Sequence, residues 1–517
     1  QELGRAFNRV PQRVRAYTLN ILGSLAGIVL FALCSWLWLP PVAWFGLTAL
    51  GVGVFLRRLP PPREPVPAWR SRPAGMAALA GAVLLAVPTA GLTDRGSAEG
   101  QTFWSPYYRI DYYPYWRSIR TNLIGHQVMI PLGGRAPAYA LPHMLHRDAG
   151  GAPFERVLII GAGSGNDLSR ALAWGTPQTR IDAVEIDPVI QHLGTLDHPD
   201  RPYDDPRVTV HNDDGRNFLR RAAERDPGSY DLIEYALVDS LVLHSGYSNL
   251  RLESYLFTRE AFADVRRCLK PGGLFVAYNY FRQGWIAARL RDGLREAFGS
   301  DPVVLTIPAR DEVKLGEAFG GFTLFIAGSP EATAPIRRAF ESAPSYWVRL
   351  DRGLTPGQSE SGFREVLSPP RSAGPAEPAR PAAGVSPTPL DRVEGVEYIG
   401  GHPWMRFTPA SLEESGGSLR PATDDWPFLY LREPTIPALT LRGMGVMALV
   451  ALGMLLAFRD RPQSGDETAA GTAPAAGPAN LELRMFCLGA GFMLIETKAV
   501  VQTALLFGST WMVNTFV

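Results

Sequence analysis

One stretch, Arg156 to Asp187, constrains the fold of this chain more than any other. Its run Val157–Ile160 is short and rich in β-branched residues, which is typical of a buried strand. Gly161, Gly163 and Gly165 follow at once, and a helical pattern begins after them. Glycines let a backbone approach a ligand closely, and the start of a helix offers unpaired N–H groups. The stretch therefore predicts a strand, a ligand-binding turn and a helix.

A second strand, Ile181–Val184, places an acidic residue where a nucleotide site needs one. Glu185 ends this strand, twenty residues after Gly165. A carboxylate at this spacing can accept hydrogen bonds from both hydroxyls of a ribose. A glycine pattern alone also fits a plain tight turn, but with the strand, the helix and the acid it predicts nucleotide binding.

Strands and helices alternate from residue 154 to about 328, which predicts an α/β fold with a doubly wound, mostly parallel sheet of seven strands. Ligands bind beyond the carboxyl ends of such strands. The expected strands are Val157–Ile160, Ile181–Glu185, Val208–His211, Asp231–Tyr235, Leu274–Asn279, Val303–Thr306 and Thr323–Ala327. The expected helices lie around 165–174, 188–196, 216–225, 259–269 and 283–298.

Apolar runs flank this region on both sides and predict transmembrane helices. Arginines at their edges favour membrane spans over the alternative, buried core helices. Arginines both precede the first run and follow the second, so both sides are expected in the cytoplasm. A third full span would place the nucleotide site outside the cell, so the third run is expected to be re-entrant or interfacial. The runs are Tyr17–Leu39, Val42–Leu56, Ala74–Leu92, Leu439–Phe458 and Met485–Val517.

These patterns divide the chain into five parts. They are transmembrane helices over 1–92, a β region over 93–153, the nucleotide-binding domain over 154–330, an accessory segment over 331–437, and transmembrane helices over 438–517. Within the accessory segment, residues 355–392 are rich in Pro, Ala, Ser and Gly and are expected to form a disordered insertion. Because the chain starts at Gln1 and stops at Val517 inside an apolar run, further spans are expected beyond both ends.

Two classes of partner have little support in the composition. The formal net charge of +1 gives no electrostatic basis for binding nucleic acid. The three cysteines are far apart and fit no metal spacing, and the three histidines between residues 126 and 146 lack a tight motif, so no metal is expected. These histidines are His126, His143 and His146.

The assembled motifs resemble the spermidine synthase-like family, which has the class I S-adenosylmethionine-dependent methyltransferase fold. They are VLIIGAGSGND, AVEIDP, DDPRVTVHNDDGRNFL, YDLIEY, YLFTREAF and LKPGGLFV, and they cover about residues 105–328. The flanking apolar runs, with TDDWPF and FMLIETKAVVQTALLFGSTW, look like the bacterial membrane-embedded branch of that family. The resemblance implies an inner-membrane protein with a cytoplasmic soluble domain, and a homodimer is one possible assembly.

The resemblance also implies a binding site for S-adenosylmethionine or its decarboxylated form. The three glycines of the turn would line the methionine and ribose part, and Glu185 would bind the ribose hydroxyls. Asp214 would accept from the adenine amino group, with Asp213 as the near-equivalent choice. Gln127 belongs to the family's amino-terminal β region and is a further candidate cofactor contact.

The acceptor half departs from the family pattern. Where spermidine synthases carry Asp-x-x-Asp after the fourth strand, this chain has Ala236-Leu-Val-Asp239, and the expected acidic segment near Leu132–Leu141 holds no carboxylate. Burying polyamine charges without carboxylates would cost several kcal/mol per ion. Asp239 is the first candidate for base or substrate anchor, its alternative being a turn cap, and Glu234 and Tyr235 are further catalytic candidates. Asp424 and Asp425 could supply replacement carboxylates, or cap a turn.

Three functions remain open on the sequence. The first is a membrane-embedded S-adenosylmethionine-dependent methyltransferase acting on a membrane-associated, small-molecule or lipid-linked acceptor. The second is a polyamine aminopropyltransferase that uses decarboxylated S-adenosylmethionine. The third is a non-catalytic transporter or sensor with a nucleoside-binding domain, suggested by the ionisable Glu496 and Lys498 in an apolar run.

Overall fold

The structure is a computed structural model that describes residues 12–58, 100–134, 136–238, 252–318, 321–365, 395–436 and 438–457, with isolated positions between 487 and 503. Its helices are α1 (Arg13–Trp36), α2 (Pro41–Arg58), α3 (Pro137–Asp148), α4 (Asn166–Trp174), α5 (Pro188–Asp197), α6 (Gly215–Arg225), α7 (Arg259–Cys268), α8 (Gly284–Phe298), α9 (Pro330–Ser342) and α10 (Ala438–Ala457). Its first nine strands are β1 (Gln101–Trp104), β2 (Arg109–Tyr113), β3 (Ser118–Thr121), β4 (Ile124–Val128), β5 (Arg156–Ile160), β6 (Arg180–Glu185), β7 (Val208–Asn212), β8 (Tyr230–Ala236) and β9 (Leu269–Asn279). The others are β10 (Val303–Ile307), β11 (Glu312–Val313), β12 (Phe322–Ala327), β13 (Ser345–Arg349), β14 (Ser361–Arg364), β15 (Val396–Ile399), β16 (His402–Phe407) and β17 (Ser411–Leu412).

A seven-stranded sheet in the order β10-β12-β9-β8-β5-β6-β7 forms the centre of the fold. The five strands β5 to β9 pair in parallel, whereas β12 is antiparallel to both of its neighbours. All seven strands and five helices expected from the alternating pattern are present, and the mostly parallel arrangement is confirmed. The antiparallel β12 was not anticipated, because a strand's periodicity carries no information about its direction.

The two faces of this sheet bury separate apolar layers. Leu158 and Ile160 of β5 pack with α6, α7 and α8 on one face, and Val157 and Ile159 pack with α3, α4 and α9 on the other. Successive residues of a strand point to opposite faces, so a continuous apolar strand needs helices on both. Each fully buried side chain of this kind contributes roughly 1.5–3 kcal/mol. The carboxyl ends of β5 to β8 remain uncovered by these helices and border the site.

A smaller antiparallel sheet, β1-β2-β3-β4, lies over one end of the central sheet. Its apolar side, including Ile110 and Ile119, packs on Val189, Ile190 and Leu193 of α5. Short β segments were expected here, but α3 was not: it occupies the second half of the region, with Leu141 and Leu145 buried against the central sheet.

The segment after the central domain folds back onto it. Strands β14-β13-β16-β15 form a third sheet, and β17 pairs in parallel with β11. The presence of β14 corrects the expectation that the whole of 355–392 is disordered, whereas residues 366–394 lie outside the described part of the chain. Asp424 accepts hydrogen bonds from Arg216 of α6 and from the Thr258 hydroxyl that caps α7. It therefore anchors the returning segment and does not replace an acceptor-site carboxylate.

Among the described helices, Val14–Trp36 of α1 is long and apolar enough to cross a membrane by length and composition. Pro41–Val54 and Leu441–Val450 are shorter apolar helices. The expected run Ala74–Leu92 and most of Met485–Val517 fall outside the described residues.

Candidate active site

The turn after β5 needs its glycines for both backbone and space. The φ angles of Gly161, Gly163 and Gly165 are +76°, +56° and +106°, in the left-handed region that other residues rarely adopt. A Cβ on Gly163 would lie 2.8 Å from the Gln127 Oε1, and one on Gly165 would lie 2.7 Å from Pro202 Cγ. The turn is therefore closed around its neighbours and leaves backbone N–H groups at the start of α4.

A cleft of about 910 Å³, its open mouth included, lies above this turn. The structure brings six of the seven expected cofactor contacts to its wall, and these are Gly161, Gly163, Glu185, Asp213, Asp214 and Gln127. Gly165 does not line the cleft, since it packs beneath Pro202 and Tyr203 and begins α4. That the six residues bind a cofactor stays a prediction.

Glu185 is held rigidly at the end of β6. Its Oε2 accepts from the Gly163 N–H at 2.8 Å, and its Oε1 accepts from the Asp187 N–H at 2.9 Å. Burial raises the pKa of this carboxyl to about 7, although both backbone hydrogen bonds oppose the shift. Each carboxylate oxygen can accept a second hydrogen bond, so the ribose role remains sterically and chemically open.

The two aspartates after β7 face the same cleft with different partners. Asp214 caps α6, because its Oδ1 accepts from the Asn217 N–H at 2.8 Å. Asp213 accepts from the Arg221 guanidinium through Oδ2 and from the Asp214 N–H through Oδ1. Their convergence with Glu185 on one hollow is what an adenosine site requires, and either aspartate can reach an adenine amino group by position.

Gln127 of β4 connects the small sheet to the glycine turn. Its Oε1 accepts from the Ser164 N–H at 2.8 Å and from the Ser164 hydroxyl at 2.7 Å. The side-chain amide nitrogen remains available toward the cleft, where it can donate to a ligand. The small sheet therefore supplies part of the site wall.

The positions of two of the three catalytic candidates differ from the expectation. Glu234 is buried beside His143 on the α3 side of the sheet, and Tyr235 is buried on the other side against Phe257 and Phe275. Neither lines the cleft, so their expected catalytic role is corrected. The reason is that alternate residues within a strand point to the two faces of the sheet and not beyond its end. Asp239 lies outside the described residues, and its role stays a prediction.

A polar cluster beneath the cleft was missed by the sequence reasoning. Asp167, in the first turn of α4, lines the cleft and accepts a hydrogen bond from the Tyr278 hydroxyl at the end of β9. Tyr139 of α3 lines the cleft beside them, with its ring 6.2 Å from that of Tyr278. An acid directly after a glycine turn, at the start of a helix, was the available signal for Asp167.

The cleft is acidic. Five described lining residues carry carboxyl groups, and no described lining residue is a lysine or arginine. The five are Asp167, Glu185, Asp213, Asp214 and Glu253. Arg221 reaches Asp213 from α6 without lining the cleft. This charge distribution favours a cationic ligand over an anionic one.

The histidines, expected to be solvated or core residues, take different positions. His143 is fully buried, and burial lowers its pKa to about 3. His126 lines the cleft, and burial lowers its pKa to about 4. Within the part of the chain that the structure describes, there is no group of three His, Cys, Asp or Glu side chains arranged to hold a metal ion.

Comparison with known proteins points to one family for the central region. The spermine/spermidine synthase domain matches residues 140–309. The polyamine aminopropyltransferase of Klebsiella pneumoniae is 34% identical over 144 residues, covering 27% of this chain and 43% of that protein. The polyamine aminopropyltransferase of Salmonella arizonae is 33% identical over 165 residues, covering 31% of this chain and 47% of that protein. The chain thus spans less than half the length of these curated relatives.

Two solved structures are similar to this chain at low identity and with low TM-scores. Spermidine synthase from Thermotoga maritima is 20% identical with a TM-score of 0.33, covering 46% of this chain and 74% of that one. Human methyltransferase-like protein 13 is 21% identical with a TM-score of 0.29, and the match covers 39% of this chain and 90% of that one. These values are too low to carry functional information. Residues 140–309 are therefore similar to the spermine/spermidine synthase domain.

Proposed function

We propose that this protein transfers an aminopropyl group from decarboxylated S-adenosylmethionine to a small amine. The acidic cleft carries this proposal, because five carboxyl-bearing residues line it and no described lining residue is cationic. The decarboxylated donor and an amine acceptor are both cations near neutral pH. The polyamine aminopropyltransferases among the relatives support the same class of reaction.

The same charge argument separates the two donors. S-adenosylmethionine carries an α-carboxylate that the decarboxylated donor lacks. Placing that carboxylate on the Asp167 side of the glycine turn, without a lysine or arginine on the described wall, would require an unpaired anion in a partly desolvated site. Such burial costs several kcal/mol. The decarboxylated donor avoids this cost.

Residues at different positions along the sheet edge would bind different parts of the donor. Glu185 would hold the ribose at the end of β6, and Asp213 or Asp214 would hold the adenine at the end of β7. Gly163 lets the backbone approach the sulfonium, whose neighbouring carbon is already activated toward a nucleophile. The protein then has to align the acceptor nitrogen with that carbon and to accept the proton that an ammonium must lose before it attacks.

The test is transfer by the purified full chain in detergent, with each donor in turn and a panel of small linear diamines. Methyl and aminopropyl products differ in mass, so mass spectrometry distinguishes the reactions. We expect product from the decarboxylated donor, and loss of donor binding on Glu185→Ala. Product from S-adenosylmethionine alone would refute the proposal. Binding of the nucleoside with no product from any acceptor would favour a sensor instead.

A second candidate, methyl transfer to a membrane-associated or lipid-linked acceptor, rests on one observation. The wall at the end of β8 consists of Ala236, Leu237 and Val238, which is apolar where an acceptor would lie. An acceptor with an apolar body would fit this wall better than a polyamine would. The two-donor assay above decides between the candidates.

We also propose that α1 and α2 attach the protein to a bilayer, as in the membrane branch that the sequence resembles. Along α1, the large apolar side chains are exposed, including Leu22, Leu25 and Phe31. An apolar helix exposed on most of its surface is stable in lipid and not in water. Retention in the membrane pellet after alkaline carbonate extraction supports the attachment, and release into the supernatant contradicts it.

A further inference from the structure

Two carboxyl groups of the cleft, those of Asp167 and Glu253, are not used by the proposed donor contacts, and Asp167 is the one whose contacts place it on the acceptor side. Asp167 is buried and lines the cleft, and its Oδ1 accepts from the Tyr278 hydroxyl. Its own backbone N–H also interacts with the carboxylate, and no described side chain donates a hydrogen bond to Oδ2. A buried carboxylate that lines a ligand cavity and is fixed through one oxygen is suited to bind or deprotonate a cation.

The order of the strands places Asp167 on the acceptor side. Along the sheet edge, the proposed adenine and ribose contacts belong to β7 and β6, and the glycine turn follows β5. Asp167 is tied through Tyr278 to β9, on the opposite side of the turn from Glu185. Strand β8 lies between β5 and β9, and the described residues at its end, Ala236 to Val238, include no carboxylate.

Glu234 of β8 explains why Asp167 and not its neighbour would carry the negative charge. The Glu234 carboxyl is 1% exposed, neither of its oxygens has a hydrogen-bond partner in the part of the chain that the structure describes, and His143 Nε2 is 3.9 Å away. Burial raises the pKa of Glu234 well above its ordinary value, and the charge of Asp167 raises it further. Glu234 therefore keeps its proton.

The surroundings of Asp167 set its ionisation near neutral pH. Burial raises its pKa to about 6, opposed by the Tyr278 hydroxyl and the Arg170 guanidinium. Further titratable groups facing it are Glu234 on β8, Tyr139 on α3 and Tyr203 before β7. A base whose pKa lies just below the working pH is ionised and still accepts a proton readily.

We propose that Asp167 is the catalytic base on the acceptor side and that Tyr278 positions it. This inference rests on the proposed aminopropyl transfer. The Asp167 carboxylate takes one proton from the acceptor ammonium, which leaves a neutral amine and a carboxylic acid. The amine nitrogen then forms a bond to the aminopropyl carbon while that carbon's bond to sulfur breaks. The electron pair of the broken bond stays on sulfur, giving methylthioadenosine and a secondary ammonium product.

Asp167→Asn tests the base with little change in shape, because the amide oxygen can still accept from Tyr278. We expect kcat/KM for the amine to fall by about 10²–10⁴-fold. Binding of methylthioadenosine should stay within threefold of the wild type. Asp226→Asn is the matched control, since this aspartate is 62% exposed at its side chain and distant from the cleft, and it should retain full activity.

Tyr278→Phe provides a readout that a purely structural role would not move. Its hydroxyl lowers the pKa of Asp167, so removing it should shift the acid limb of the kcat/KM profile to higher pH. An Asp167→Asn enzyme with at least a third of wild-type activity would overturn the assignment. So would tenfold weaker donor binding with unchanged turnover at saturation, because Asp167 would then anchor the donor. An inactive wild type with both donors would instead show that the proposed function is wrong.

Discussion

Replacing Glu234 by leucine should stabilise the protein, although it alters a fully buried residue. The protonated carboxyl is buried beside His143, and neither of its oxygens has a hydrogen-bond partner among the described residues. Leaving such a group unsatisfied costs about 1–3 kcal/mol, which leucine would remove while filling a similar volume. For a domain of 150–250 residues, 1 kcal/mol shifts Tm by about 2–4 °C. We therefore expect a rise of about 2–12 °C near pH 5.

The gain should grow with pH, and the sign follows from the raised pKa of Glu234. Below its unfolded value of 4.5, the carboxyl is protonated in both states and pH has no effect. Above 4.5 the unfolded chain loses the proton while the folded chain keeps it, so wild-type stability falls by at most about 1.4 kcal/mol per pH unit. Leucine removes this dependence. Glu185 and Asp187 remain in both proteins and largely cancel in the difference.

Thermal unfolding of the full chain in detergent at pH 5, 6, 7 and 8, followed by circular dichroism, measures both effects. Tyr235→Phe is the matched control: it removes a buried hydroxyl without a partner from the other face of the sheet, and its gain should not change with pH over this range. A Glu234→Leu protein less stable than the wild type at every pH would refute the reasoning. A constant difference across the four pH values would show that Glu234 is not held neutral.

Two further changes test other parts of the structure. Gly163→Ala should weaken methylthioadenosine binding, measured by equilibrium dialysis, by at least tenfold. The left-handed φ costs an alanine roughly 1–2 kcal/mol, and the new Cβ displaces Gln127. Gly150→Ala is the control and should not weaken binding, because Gly150 also has a positive φ but lies in open space. Arg289 donates to the carbonyls of Phe428, Leu429, Leu431 and Arg432, so Arg289→Met should lower Tm by several degrees and speed protease cleavage after residue 420. Unchanged binding in the first case, or unchanged cleavage in the second, contradicts the corresponding contacts.

The sequence by itself determined the α/β sheet and the residues that we propose bind the donor. The sequence signals are local: the hydrophobic period of each strand, the glycines after β5 and the acidic Glu185. Local patterns can be recognised without knowing the tertiary structure. Asp213 and Asp214 were found for the same reason, since each follows a strand end. The parallel order of strands then brought these groups together without further information.

The acceptor side was decided by tertiary structure alone. The sequence predicts that Glu234 and Tyr235 lie at the tip of β8. Because side chains alternate along a pleated strand, they instead point to the two opposite faces of the sheet. Asp167 reads as an ordinary first-turn helix residue, yet the packing of α4 under β9 brings it to Tyr278 and into the cleft. Asp424 was a candidate replacement carboxylate on the sequence, but in the structure it accepts a hydrogen bond from Arg216. Which side chains meet across distant elements depends on packing, and no local periodicity encodes that.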